Sequence, residues 1–407
     1  MIRNTAIERL TMKHIITTVC LVLTLVSSSQ AADTLIKAGT IHTAAGKPLS
    51  PGMVLISNNK IVQVGKSIKT PKGAKVIDLG KGTLMPGMVD ANARVPLRGG
   101  SSEVTREVAS NYSIYMGLDL YQRRFKEIRS NGVTTLVVFP GGDSVIGGMA
   151  CTLKSGSRSR IVDGFSALLL NMCSDPRSGN RSRIRPDSIY VRQPTNRMGV
   201  VWIMRQALAK AKKTNPAVSY MASLIRERRH IVARSRTAFD IRALLKVADE
   251  AGIAPTIIDG EESYKVADIL AKRQVPVVLS PITPAVNRGQ EATETVPNNA
   301  ARLQQAGVKF AFSGGNLLEQ ARFAVRFGLS KSAALKAITI NPAYIMGYSS
   351  RLGSIEPGKD ADLVALTGDP LTLTSRIQWV MVNGVTYSSN GAINTSTTRK
   401  RVSPKRN

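Results

Sequence analysis

The strongest constraint on the fold is an alternation, across residues 86–347, between short apolar runs and segments of helical period. The runs at 134–139, 256–258, 275–279 and 309–312 have the length and apolar character of buried strands. Between them, Ile241, Leu244, Leu245 and Ala248 recur at i, i+3, i+4 and i+7, which places them on one face of a helix. Segments 264–273 and 331–340 read similarly. Strands joined through crossover helices pair in parallel, because each helix returns the chain to the same end of the sheet. The pattern therefore predicts an α/β protein, a parallel (β/α)8 barrel of the TIM type. Five or six of the eight strands show as runs, so a doubly wound sheet also satisfies the pattern.

The flanks differ. Runs at 35–41, 53–56, 61–64 and 76–79 are strand-like and separated by Gly, Pro and Asn turns, with Asn58-Asn59-Lys60 read as a hairpin turn. Residues 361–366 and 379–385 repeat that texture. The two ends thus predict one small β-sandwich domain, its first part at 32–85 and its second at 348–390, around the barrel at 86–347.

Met12-Lys13-His14 leads into an apolar run at 15–26 and then Ser27-Ser28-Ser29-Gln30-Ala31, the layout of a secretory signal cut after Ala31. The apolar run is shorter than the ~20 residues of a spanning helix. The expectation is a signal peptide at 1–31 and a periplasmic or secreted protein with no transmembrane span after cleavage. Cys20 falls in the signal; Cys151 and Cys173 remain, either paired or as two buried thiols.

The net charge is +29. Residues 391–407 form a basic tail with no apolar period, expected to be disordered. Residues 154–197 hold nine basic side chains against three acids. Such a surface attracts anionic polymers, and an anionic envelope polymer is one expected partner. The export signal, an aromatic content of 5% and the lack of a nucleic-acid motif argue against nucleic acid.

Candidate chemistry starts from scarcity. The chain has three histidines: His14 in the signal, His42 before the barrel and His230. A catalytic zinc site usually takes three protein ligands, commonly His with a carboxylate. Asp143-Ser144 and Ser313 have no histidine nearby to act as base, which disfavours serine hydrolysis. Cys151, without a histidine partner, reads as a structural thiol.

Gly82-Thr83-Leu84-Met85-Pro86-Gly87-Met88-Val89-Asp90-Ala91 and Leu352-Gly353-Ser354-Ile355-Glu356-Pro357-Gly358-Lys359-Asp360-Ala361-Asp362-Leu363-Val364 closely resemble the lead-in to the first barrel strand, and the return to the β-domain, of the amidohydrolase superfamily. Gly132-Val133-Thr134-Thr135, the Gly-rich stretch 140–148, Asn196-Arg197-Met198-Gly199, the stretch from Gly260 to Ala267 and Ala337-Ile338-Thr339-Ile340-Asn341-Pro342-Ala343 resemble its imidazolonepropionase-like branch. The resemblance covers residues 35–388. It implies hydrolysis of non-peptide C–N bonds in amides and cyclic amides, by zinc or another divalent metal at the C-terminal mouth of the barrel. The ligands it implies are a His-x-His on the first strand, histidines on the fifth and sixth, and an aspartate on the eighth.

Each of those positions departs here. The first strand carries Asn92-Ala93-Arg94, the fifth Ala233 or Arg234, the sixth Asp259-Gly260, and the eighth Ser313-Gly314-Gly315 followed by Asn316. His230 precedes the mouth end of its strand. No metal ligand set and no bound cofactor is expected. The expected pocket comprises Asn92, Arg94, Asp259, Gly315 and Asn316, with Asp259 and Glu261 as the candidate catalytic carboxylates; as neighbouring acids in a loop, Glu261 and Glu262 can do acid–base work or simply be solvated. Arg94 either pairs with Asp259 in the metal's place or is solvated apart from it. Three readings stand. One is an impaired hydrolase whose pocket binds a small molecule, with charge favouring an anion. The second is an active hydrolase with oxygen ligands from Asp259 and Glu261. The third is a basic envelope-associated interaction protein.

Overall fold

The computed structural model describes residues 33–95, 97, 100–156, 160–177, 193–227, 230–281 and 293–388. The expected signal at 1–31, the tail at 391–407 and much of the basic stretch (157–159 and 178–192) lie outside them. Among the described residues, no helix is long and apolar enough to cross a membrane.

The first part of the chain builds strands β1 (Thr34–Ala38), β2 (Thr40–Ile41), β3 (Gly52–Ser57), β4 (Lys60–Gly65), β5 (Lys75–Asp78) and β6 (Thr83–Pro86). Asn58 and Asn59 join β3 to β4 with φ of 48° and 66°, the left-handed pair that a tight hairpin requires and that Asn tolerates. The barrel follows with β7 (Met88–Asp90), β8 (Val133–Val138), β9 (Ile146–Lys154), β10 (Ile161–Asn171), β11 (Ile231–Ser235), β12 (Pro255–Asp259), β13 (Val277–Leu279) and β14 (Phe310–Phe312). The chain then returns through β15 (Leu363–Leu366), β16 (Ile377–Val382) and β17 (Val385–Ser388).

Both ends meet in the small domain. One sheet has the order β4-β3-β1-β5 and the other β17-β16-β15-β6-β2, with β6 and β15 paired antiparallel from Thr83↔Leu366 to Pro86↔Leu363. Ile36, Val54 and Ile61 from the first sheet and Leu84, Leu363 and Trp379 from the second form a shared apolar core.

The eight barrel strands run in sequence order around one sheet. Seven are parallel in the expected way, but β9 runs antiparallel to both β8 and β10. This corrects the all-parallel expectation. Only residues 139–145 separate β8 from β9, and only 155–160 separate β9 from β10. A parallel crossover needs about a dozen residues or more, so these short links force hairpins. The amphipathic helix Ala238–Ala251 forms as its spacing predicts, with Thr237 and Asp240 in a capping box and Gly252 ending it at φ 66°. Its buried face joins the main core between the barrel and its helices.

Lys154 at the end of β9 fastens the two domains. Its ammonium, 1% exposed, pairs with Asp360 at 3.2 Å and with Asp362 in a shorter contact. Asp360 is also held by Lys60 at 2.6 Å and Arg351 at 3.0 Å. The Lys359-Asp360-Ala361-Asp362 segment thus receives a buried cation from the barrel, and Asp362 turns to the backbone N–H of Asn383 at 2.8 Å.

Candidate functional site at the barrel mouth

The parallel strands end at one rim, where residues from the ends of β7, β11 and β12 surround a cavity of about 580 Å³. That lies within the roughly 300–1,000 Å³ typical of small-molecule sites. Its floor is polar and strongly charged, and Val95, Val138, Phe139 and Pro140 form an apolar wall.

Asp259 is the centre of the floor. It closes β12 with φ +73°, a left-handed conformation that a short polar side chain adopts more readily than most. Its Oδ1 accepts from Ser280 Oγ at 2.6 Å and from Asn92 Nδ2 at 3.3 Å. Its Oδ2 faces Arg234 Nε at 3.1 Å and Arg236 Nε at 3.6 Å. The left-handed backbone at Asp259 breaks the strand's alternation there, and Arg234 and Arg236, either side of its register partner Ser235, come within reach of the carboxylate. Arg234 also donates to Asn171 Oδ1 at 3.3 Å, at the end of β10.

Arg236 forms a second pair, a two-bond fork onto Asp175 at 2.7 and 2.6 Å. Burial pushes the Asp175 carboxyl up, but the Arg236 hydrogen bond and charge outweigh burial and hold it below the usual carboxylate range. Asp90 lies behind Asn92. It accepts from the backbone N–H of Gly314 at 3.0 Å and of Asn92 at 3.1 Å, tying β7 to the turn after β14 across the edges of the sheet. Burial pushes the Asp90 carboxyl up to about 6, against the opposing pull of those N–H groups and of Arg94.

Asn92, Arg94 and Asp259 therefore come together at the cavity, but Gly315 and Asn316 do not line it. A Cβ on Gly315 would face Gln320 and Pro281, and Asn316 begins the helix Leu317–Arg326 without capping it through its side chain. Glu261 lies on a small neighbouring cavity of about 30 Å³ shared with Asp259, and the Thr293 hydroxyl donates to it. Glu262 is buried, not solvated: it accepts from the backbone N–H of Ala238 and of Glu294. Of the two alternatives for Arg94, the structure has it apart from Asp259. The cations on Asp259 come from the adjacent strand β11, whose side chains reach it directly, while Arg94 is exposed at the rim.

The fifth-strand ambiguity resolves to Arg234, since Ala233 is buried in the core on the helix side. His230 sits at the far end of β11, where its Nε2 would lie 2.2 Å from a Cβ on Gly347. Cys151 and Cys173 are free and buried, and burial pushes the Cys151 thiol up to about 12. Sequence reasoning missed Arg236, Asp175 and Ser280. The alternation Arg234-x-Arg236 at a strand end was a usable signal for the first; Asp175 opens a single 3-10 turn and Ser280 lies on a loop, neither within a motif.

The residues at the mouth do not fit a divalent metal. A guanidinium has no lone pair to offer and repels a cation, and Arg234 stands where a ligand would be needed. Asn92 and Gly315 contribute a weak ligand and none. Among the described residues, no three His, Cys, Asp or Glu side chains converge to hold an ion.

Comparison with known proteins agrees with the architecture. The Amidohydrolase family profile matches residues 219–389. The chain is 23% identical to amidohydrolase tasK of Hapsidospora irregularis over 82% of its own length, and spans 39% of that longer protein. The crystal structure of an amidohydrolase from Thermotoga maritima superposes with a TM-score of 0.78 at 27% identity, covering 87% of this chain and 99% of the other. A zinc-bound adenosine deaminase from Xanthomonas campestris shares the fold at a TM-score of 0.52 and 16% identity, over 87% and 92% of the two chains. With its lead-in and return motifs, its barrel and its two-ended β-domain, the chain is similar to proteins of the amidohydrolase superfamily and shares their fold.

Proposed function

We propose that this is an exported member of the superfamily that has lost metal-dependent C–N hydrolysis and keeps the barrel mouth as a binding pocket for a small anionic molecule. The observation that carries the reading is the Arg234–Asp259 ion pair, 3.1 Å apart at the ends of β11 and β12. Those two strand ends are where the family resemblance calls for imidazole ligands. A carboxylate that faces two guanidinium groups is committed to them, and a divalent ion entering there would meet fixed positive charge. The cavity itself is intact, with an apolar wall and an arginine-rich floor.

Elemental analysis of the purified protein, with a hydrolysis screen of amides and cyclic amides, tests this. The expected result is substoichiometric zinc and manganese and no turnover, before and after metal addition. Stoichiometric metal accompanied by turnover would overturn the reading in favour of an oxygen-ligand site at Asp259 and Glu261.

A further inference from the structure

The pocket's hydrogen-bonding inventory narrows what it takes. Its two lining carboxylates are already engaged: Asp175 by the Arg236 fork, and Asp259 by Arg234, Arg236, Ser280 and Asn92. An incoming group therefore meets donors without an available carboxylate acceptor, and the head group that suits such a surface is one that only accepts. Of the four lining arginines, Arg236 and Arg234 are paired as described, and Arg124 at the rim pairs with Glu127 at 3.2 Å. Arg94 makes no ion pair or hydrogen bond among the described residues; its charge is felt only at a distance, by buried Asp90. One uncommitted guanidinium, beside the wall of Val95, Val138 and Phe139, matches a single negative charge on an apolar body.

From this we infer that the cavity binds a small monocarboxylate with an apolar or aromatic body, its carboxylate on Arg94 and its body against Val138 and Phe139. The inference rests on the binding-pocket reading above and supplies its ligand class. An aliphatic or aryl acid fits. A neutral amide fits poorly, because its NH2 finds no unoccupied carboxylate. A phosphate ester carries about twice the charge the site leaves uncompensated.

The test is calorimetric titration of the full-length protein with phenylacetate, phenylacetamide and phenyl phosphate, alongside an R94Q variant. Arg94 is exposed, so Arg94→Gln is expected to leave the unfolding temperature unchanged. The inference expects saturable one-to-one binding of phenylacetate, at least tenfold weaker binding of phenylacetamide, and at least tenfold loss of phenylacetate affinity in R94Q. It is overturned if R94Q binds phenylacetate as tightly as the native chain, if the amide matches the acid, if phenyl phosphate binds more tightly than the acid, or if no acid binds at all. Metal content measured on the same samples separates the two levels. Metal-free protein that ignores phenylacetate refutes only the ligand class, whereas stoichiometric metal with turnover refutes the underlying reading.

Discussion

Replacing Arg234 with methionine removes a guanidinium whose Nε lies 3.1 Å from Asp259 Oδ2, with the two side chains 13% and 6% exposed. Deleting one member of a buried ion pair typically costs about 3–5 kcal/mol, because the other charge stays in a poor solvent. Here the carboxylate keeps Ser280 at 2.6 Å, Asn92 at 3.3 Å and Arg236 at 3.6 Å, so the low end applies, about 3 kcal/mol. Asp259→Asn leaves Arg234 with Asn171 and the open cavity, and costs about 1.5 kcal/mol, the scale of one hydrogen bond to a charged group. In the double variant neither charge is stranded, so it loses only about 2.5 kcal/mol, and the cycle gives a coupling of about 2 kcal/mol. Urea unfolding followed by far-UV circular dichroism reads all three variants at neutral pH. If the double variant's loss equals the sum of the single losses within about 0.5 kcal/mol, Arg234 and Asp259 do not depend on each other and the reasoning fails.

Three further outcomes follow from contacts elsewhere. Lys154→Met strands Asp362 and removes one of the cations on Asp360 at the domain junction, and should lower stability by about 3–5 kcal/mol, seen as a drop in the urea midpoint; a near-native midpoint would show that the junction does not need the ion pair. Asp90 titrates at about 6 when folded, above its ordinary 3.8, so the folded state holds this proton more tightly than the unfolded chain does. Its contribution is therefore largest below the unfolded value and declines as pH rises through 6, by about 3 kcal/mol in all, so native stability should fall relative to D90N between pH 4 and 7; parallel pH curves would contradict it. At Gly315 an added Cβ would come no closer than 3.5 Å to Gln320 and Pro281, so Gly315→Asp should change the unfolding temperature by no more than the equivalent of about 0.5 kcal/mol; a loss above about 2 kcal/mol would mean that the eighth-strand position cannot take the family's aspartate.

Much of the architecture was legible before any coordinates. The 3.6-residue period of Ala238–Ala251 and its Thr237 cap are local properties, and local sterics and hydrogen bonding decide them. The Asn58-Asn59 turn is likewise a matter of which residues accept a left-handed backbone. The motifs around Pro86 and Asp360 carried the superfamily resemblance, and the departures from it at Asn92, Arg94, Asp259 and Gly315 could be counted along the chain. The reversal of β9 was less legible: the runs at 146–154 and 161–171 mix glycine with apolar residues and show neither alternation nor helical period, although the short spacing on either side holds the reason for the hairpins.

The sequence by itself thus determined an alternating α/β middle between two β-textured ends, and the absence of imidazoles at the positions where a metal would need them. Only the tertiary structure decided what stands in their place. Arg94 and Asp259 both reach the mouth, yet the ion pair forms with the end of the neighbouring strand, because the left-handed turn at Asp259 brings its carboxylate to Arg234 and Arg236 while Arg94 is exposed at the rim. Side-chain pairing of this kind depends on distances of 3–4 Å between residues 25 to 167 positions apart, here Arg234, Asp259 and Asn92, and no local period encodes such a distance.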